Sequence, residues 1–250
     1  MPFLEPLFPY GVERGKAIGV FFAPAAEWRL MVTAIVASRL KAGLRSGIIT
    51  TTRFPEEICN DMARFGVDAK SALATGLCRI ADWYTCVTGR LPEKPPEDMA
   101  TSLRVADLGF ISAKYWHIGH GTRPEVNPDF IELALVDNLT RLFSYNDETS
   151  CIKFVNTTLA RMKQDGRTSI YGFATKVLEK KTYADLESMC DGIMDVKTIE
   201  VEGAHQTIVR VRSFPEVRHT EGWQAINVEG NSVSLKPAPK IDGLKFQASR

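Results

Sequence analysis

The sequence predicts an α/β fold in which a mainly parallel β-sheet is flanked by helices and ends in antiparallel strands. Short apolar strands alternate with helices from Ala17 to Phe173, which is typical of parallel strands joined by right-handed crossovers. Beyond Lys176, apolar and polar residues alternate at a period of two, which is typical of hairpins. With 250 residues, 44% of them hydrophobic, a sizeable core is possible. We expect a single domain over residues 1–235 and a flexible tail over 236–250.

The first half of the chain supplies three of the predicted strands. The strand that begins at Ala17 precedes a helix whose apolar residues recur at helical spacing up to Leu40. A short buried strand over Gly47–Thr51 follows, and the next helix begins at Pro55, carries acidic residues in its first turn and ends at Gly66. A third strand is predicted over Gly76–Asp82.

The second half opens with residues 83–128, for which the sequence predicts no definite structure. They include a polar, proline-bearing stretch, TGRLPEKPPEDMATS, that is typical of an exposed excursion. LALVD at 133–137 is then an apolar strand, Asn146–Gly166 a helix and RTSIYGF a further buried strand. Two hairpins follow, with turns at Glu202 and Gly203 and at Gly230 and Asn231.

Composition excludes several classes of protein. Lys and Arg total 31 against 30 for Asp and Glu, so no global charge attracts nucleic acid or an anionic membrane. The five cysteines show no paired spacing, which favours free thiols in a reducing compartment. No stretch approaches the length of a membrane span, and His117 and His120 lack the further ligands of a zinc site. We predict a cytoplasmic protein without a membrane segment or a metal site.

The turn between the first strand and its helix has the layout of a phosphate-binding loop without the residues that bind phosphate. Such a loop, G-x-x-x-x-G-K-[ST], uses glycines to wrap a phosphate in backbone N–H groups, a lysine to reach the terminal phosphates and a hydroxyl to hold magnesium. Here Ala23 and Trp28 stand at the glycine positions, Arg29 at the lysine and Leu30 at the hydroxyl, and Glu27 adds a negative charge. Trp28 is large enough to fill the site instead.

Several blocks in this order resemble the RecA-fold ATPases of the KaiC-like type. YGVERGKAIGVFF resembles their lead-in turn and first strand, GIITTTRFPEEICNDMARFGVD their second strand and helix, and ELALVDNLTRLF their Walker B strand. LESMCDGIMDV and VRVRSFPEVRH resemble their late strands. The likeness runs from about Phe8 to Leu235 and implies a RecA-like fold.

The resemblance also assigns roles to individual positions. Asp137 matches the Walker B acid, and Thr52 and Arg53 stand where the family has the acidic pair that activates water. Neither Thr52 nor Arg53 can take a proton as a carboxylate would. The basic residues that reach a neighbouring subunit's phosphates fall near Ser213 and Pro215, with Arg210 and Arg212 close by. Vestigial cofactor contacts are therefore expected at Arg29, Asp137, Thr52 and Arg53, without catalytic residues.

Three functions follow as hypotheses. The first is a pseudo-ATPase that needs no cofactor and acts as a regulatory or scaffold subunit, with a protein partner or with further copies of itself, since the resemblance implies assembly. The second is a divergent ATP-binding protein or ATPase in signal transduction, which binds ATP and magnesium through Arg29 and Asp137. The third is an accessory factor in DNA recombination or repair.

Overall fold

The computed structural model describes residues 2–24, 26–84 and 131–239, and its centre is a set of parallel strands. Across the described residues the sheet has the order β3-β2-β4-β5-β1-β6-β7-β8-β9, and the pairs from β3 to β6 are parallel. The strands of this part are β1 (Ala17–Phe22), β2 (Ser46–Thr50), β3 (Cys78–Asp82), β4 (Leu133–Val136) and β5 (Thr168–Ala174). The predicted strands of the first half are confirmed.

The last four strands form the antiparallel end of the sheet. They are β6 (Gly192–Val201), β7 (Ala204–Ser213), β8 (Gln224–Glu229) and β9 (Ser232–Pro237). Positive φ angles at Glu202 (52°) and Gly203 (79°) make the first hairpin turn, and Gly230 (58°) takes part in the second, because these positions need the left-handed region. The predicted class, a mainly parallel sheet with C-terminal antiparallel strands, is confirmed.

Helices cover both faces of the parallel strands. They are α1 (Trp28–Lys41), α2 (Pro55–Arg64), α3 (Ala69–Ala74), α4 (Glu148–Gln164) and α5 (Lys180–Met189), with 3-10 helices at Pro2–Leu4 and Leu139–Ser144. Alternate strand residues enter different cores, as Ile48 packs on the side of α1 and α2 while Ile49 packs on the side of α4. This two-sided burial explains why the strands are continuous apolar runs.

The sequence missed α3 and α5. α3 has only six residues and is fixed by its cap, in which the Asp68 carboxylate accepts a hydrogen bond from Ser71 N. α5 buries only Thr182 and Leu186, which is too sparse an apolar pattern for periodicity to detect.

The predicted domain limits stay predictions. The sheet is continuous to Pro237, and Ala238 N still donates to Trp223 O at 3.0 Å. Residues 240–250 of the predicted tail lie outside the described residues, as do His117, His120 and almost all of the 83–128 stretch. Among the described helices, none is long and apolar enough to cross a membrane.

Candidate functional site

The candidate site lies where β1, β2, β4 and β5 end side by side. Open α/β sheets bind their ligands in the crevice at the carboxyl ends of the strands. Three segments meet there: residues 23–24 and 26–27 between β1 and α1, residues 51–54 between β2 and α2, and Asp137 directly after β4. The strand order brings these segments together although more than 100 residues separate the first from the last.

Amide groups of the loop between β1 and α1 donate hydrogen bonds to acceptors within the chain. A phosphate-binding loop leaves these N–H groups free to point at the ligand. Here four of them donate within the protein: Ala23 N to Val196 O (3.0 Å), Ala26 N to Ala23 O (2.8 Å), Glu27 N to Thr207 Oγ1 (3.2 Å) and Trp28 N to Ala26 O (2.7 Å). Pro24 has no amide hydrogen. The backbone is thus folded onto the sheet.

Trp28 is the large residue of the site. Only 3% of it is exposed, its ring stacks on Phe22 with centroids 5.6 Å apart, and its Nε1 donates to the backbone oxygen of Asp137 at 2.5 Å. The indole therefore spans from the end of β1 to the end of β4. That Trp28 takes the place of a ligand at this site stays a prediction, while the burial of its ring at the strand ends is observed.

Gly172 in β5 makes room for this contact. A Cβ atom at this position would lie 2.2 Å from Asp137 O and 2.5 Å from Trp28 Nε1. A glycine inside a strand often marks such a close approach of backbone or ligand. The sequence did carry this signal, a glycine within the buried run SIYGFA, but its meaning depends on the position of Trp28.

The Asp137 carboxylate is enclosed by the threonines that follow β2. Its Oδ1 accepts from Thr51 N (2.8 Å) and Thr51 Oγ1 (2.7 Å), and its Oδ2 lies 2.6 Å from Thr52 Oγ1 and 3.2 Å from Thr50 Oγ1. Only 5% of Asp137 is exposed. A buried carboxylate needs such donors to offset the loss of its hydration. The threonine run is therefore the shell of this acid.

Arg53 lies beside the same cluster. Its backbone oxygen accepts from Thr50 Oγ1 at 2.8 Å, its buried guanidinium pairs with Asp61, and Nη2 donates to Thr33 Oγ1 at 3.1 Å. Burial lowers the pKa of Arg53, the nearby charge of Arg29 lowers it further, and Asp61 opposes the shift. Arg53 thus joins the strand-end cluster to α1 and α2.

Arg29 lies on the outside of this network. Its Nη2 is 3.2 Å from Glu57 and its Nε is 3.3 Å from Asp61, while 56% of the side chain is exposed. Asp61 therefore links Arg29 to Arg53. All four predicted residues belong to one connected cluster: Arg29, Thr52, Arg53 and Asp137. Among the first three, only Thr52 contacts the Asp137 carboxylate through its side chain.

The two late arginines are held in the antiparallel part of the sheet. Arg210 donates to Asp195 at 2.9 Å, and Arg212 pairs with Glu187 at 2.6 Å and with Asp195 at 3.2 Å. The Arg210 guanidinium also lies 4.7 Å from the ring centre of Trp223. Both arginines therefore have acidic partners within the chain.

The strand-end cluster offers few groups that could bind a metal ion. Within residues 2–24, 26–84 and 131–239, no group of three or more His, Cys, Asp or Glu side chains could hold a metal ion. Asp137 is the candidate metal-facing acid in the strand-end cluster, and its carboxylate already accepts hydrogen bonds from Thr51 N, Thr51 Oγ1 and Thr52 Oγ1. The cluster is built to satisfy a buried charge.

Comparison with known proteins defines the class of fold. No protein-family model and no curated protein matches the sequence. The fold is of the RecA-like kind. In particular, it is similar to the crystal structure of the KaiC-like protein PH0186 from the hyperthermophilic archaeon Pyrococcus horikoshii OT3, with a TM-score of 0.71 over 94% of this chain and 95% of that one. The two sequences are 13% identical, so the likeness shows the fold alone.

Proposed function

We propose that the chain is a pseudo-ATPase, a RecA-like protein that has lost ATP chemistry and acts as a regulatory or scaffold subunit through protein contacts. One observation carries the proposal: groups that would hold magnesium and phosphate already have partners within the chain. These groups are the amides of Ala23, Ala26, Glu27 and Trp28 and the carboxylate of Asp137.

The loop amides support the proposal through the free energy of binding. A phosphate would have to displace the acceptors that Ala23, Ala26, Glu27 and Trp28 now use. Each charge-assisted hydrogen bond that cannot form costs about 1.5–3 kcal/mol. The loss of several such bonds weakens nucleotide binding by orders of magnitude, because each 1.4 kcal/mol is a factor of ten in affinity.

The negative charge at the start of α1 also weakens the binding of a nucleotide. The N-terminus of a helix attracts anions through its dipole and free N–H groups. Glu27, the residue before the first turn of α1, is exposed and negative, and Arg29 is turned towards Glu57 and Asp61. A carboxylate near the phosphate position repels a nucleotide.

The acting surface of the proposed subunit is a protein interface. The RecA-like sheet is retained over nine strands of the described residues, so the fold keeps its outer faces while its crevice is filled. We propose a protein partner or further copies of the chain as the binding partner. Neither a nucleotide nor a metal is required as a cofactor.

Calorimetric titration of the purified protein with ATP and magnesium tests this function. We expect no heat of binding at millimolar nucleotide, and the same result for Asp137→Ala and Arg29→Ala. Micromolar binding that both substitutions weaken would contradict the proposal and favour the divergent ATPase, and a hydrolysis assay would then follow. Binding of single-stranded DNA that weakens steeply with salt would favour the accessory factor in DNA repair.

A further inference from the structure

We propose that the Trp28 indole is a built-in occupant of the strand-end crevice and that it orders the Asp137 cluster from within. This inference rests on the proposed function, since it names what stands where a ligand would otherwise lie. It makes the site self-contained: one side chain takes over the contacts that hold the strand ends in place.

The contacts of the indole connect three neighbouring strands. Its ring stacks on Phe22 at the end of β1, with an interplanar angle of 20°. Its Nε1 donates to Asp137 O after β4 and lies above Gly172 of β5, where a Cβ would come within 2.5 Å of it. β4, β5 and β1 are consecutive in the sheet. One ring therefore bridges the ends of all three.

The hydrogen bond from Trp28 fixes the residue that holds the threonine cluster. Trp28 Nε1 donates a hydrogen bond to the backbone oxygen of Asp137. The Asp137 carboxylate accepts from Thr51 N at 2.8 Å and from Thr51 Oγ1 at 2.7 Å. The position of Asp137 thus depends on the indole on one side and orders the chain after β2 on the other. Loss of the indole is expected to loosen Thr51 although Trp28 belongs to α1 and Thr51 to the segment after β2.

Hydrogen exchange of the Thr51 amide provides the test, because this N–H is protected only while Asp137 stays in place. We expect Trp28→Gly to raise its exchange rate by about tenfold or more, and added indole at millimolar concentration to restore most of the protection by refilling the space. Trp223→Gly, which removes the same side chain beside β8, serves as the control and leaves Thr51 protected.

Two results would overturn the inference: unchanged exchange of Thr51 in folded Trp28→Gly, or faster exchange that indole does not slow. If Trp28→Gly does not fold, Trp28→Phe decides, because it keeps a ring on Phe22 but loses the donor to Asp137 O. Faster exchange of Thr51 in this variant supports the inference, and wild-type exchange overturns it. The test uses no nucleotide, so ATP binding by the wild-type protein would overturn the proposed function without changing these exchange results.

Discussion

Two carboxylates lie at opposite ends of β4 and are stabilised in different ways. Glu132, before the strand, is 3.0 Å from Nη2 of the buried Arg39 and 3.8 Å from the exposed Arg14, and 33% of its side chain is exposed. Asp137, after the strand, is buried and accepts hydrogen bonds from the Thr51 amide and from the hydroxyl groups of Thr51 and Thr52. One end of the strand relies on ion pairs, and the other on neutral donors.

The difference separates an end of β4 that depends on charged partners from an end whose acid is stabilised by amide and hydroxyl donors. At the amino end, burial lowers the pKa of Arg39 and the Glu132 carboxylate opposes that shift, so each charge depends on the other. At the carboxyl end, the donors to Asp137 come from one short segment, Thr51 and Thr52, directly after β2. Hydrogen bonds from this segment stabilise the buried Asp137 carboxylate from within the chain.

The largest expected effect comes from Gly172→Ala, which acts at the carboxyl end. The new Cβ would meet backbone at 2.2 Å and the Trp28 ring nitrogen at 2.5 Å, and backbone cannot move aside without cost. We expect a loss of about 3 kcal/mol in the free energy of unfolding, measured by urea denaturation.

Gly19→Ala in β1 is the matched control for that substitution. Its new Cβ would meet the Cys190 side chain, with Sγ at 2.8 Å, rather than backbone, so we expect a smaller loss of about 1 kcal/mol. Equal losses in the two variants would show that close backbone contact at Gly172 has no special role.

Amide substitutions at the two ends of β4 form the next prediction. Asp137→Asn replaces charge-assisted hydrogen bonds by neutral ones and turns one acceptor into a donor, so we expect a loss of about 2 kcal/mol. Glu132→Gln keeps an acceptor for Arg39 in a partly exposed pair, and the expected loss is about 1 kcal/mol.

Salt distinguishes these two losses. Raising the ionic strength should shrink the effect of Glu132→Gln, because partly exposed ion pairs are screened. It should leave the effect of Asp137→Asn nearly unchanged, since that carboxylate and the charge of Arg53 near it are both buried. Urea denaturation at low and high salt makes the comparison, and the opposite pattern would contradict the assignment of ion pairs to one end and neutral donors to the other.

The third prediction concerns the buried cysteine thiols and the stability of the protein at alkaline pH. Burial raises the pKa of Cys78, Cys151 and Cys190 to about 12, well above the usual value of about 8.5 for a free thiol. Between these values the unfolded chain loses protons that the folded chain keeps, so stability is full below about pH 8.5 and falls as the pH rises towards 12.

Cys151→Ala should make that alkaline fall less steep. Each such thiol contributes a slope of about 1.4 kcal/mol per pH unit, and this variant removes one of the three. Urea denaturation from pH 8 to pH 11 measures the slope. A variant with the wild-type slope would show that Cys151 ionises normally in the folded protein.

The smallest effect is expected for Arg29→Ala. The Arg29 side chain is mostly exposed, and its pairs with Glu57 and Asp61 are solvated, so the loss should stay below about 1 kcal/mol and vanish at high salt. Arg64→Ala, which affects a more exposed arginine 4.0 Å from Asp61, is the control. A loss of several kcal/mol from Arg29→Ala alone would assign it a structural role that its exposure does not predict.

The sequence predicted the fold well because buried positions recur as a regular pattern of apolar residues. Strands buried on both faces appear as apolar runs, and the hairpins alternate around Gly203 and Gly230. α3 and α5 escaped detection because one is very short and the other buries only Thr182 and Leu186.

The site was predicted only in part, since its contacts join distant segments. Trp28 and Asp137 stood out by their positions in known motifs, but nothing local links an indole to a backbone oxygen 109 residues away. The role of Thr51 and Gly172 likewise depends on which strands are neighbours, which single-sequence periodicity does not encode.

The stability of the wild-type protein with and without nucleotide tests the central claim most directly. A ligand that binds only the folded chain raises the free energy of unfolding by about 4 kcal/mol when present at a thousand times its Kd. Urea denaturation in millimolar ATP and magnesium should give the same unfolding free energy as in their absence, because the crevice is already filled by Trp28. A rise of several kcal/mol would show that nucleotide binds the folded chain and would contradict the account.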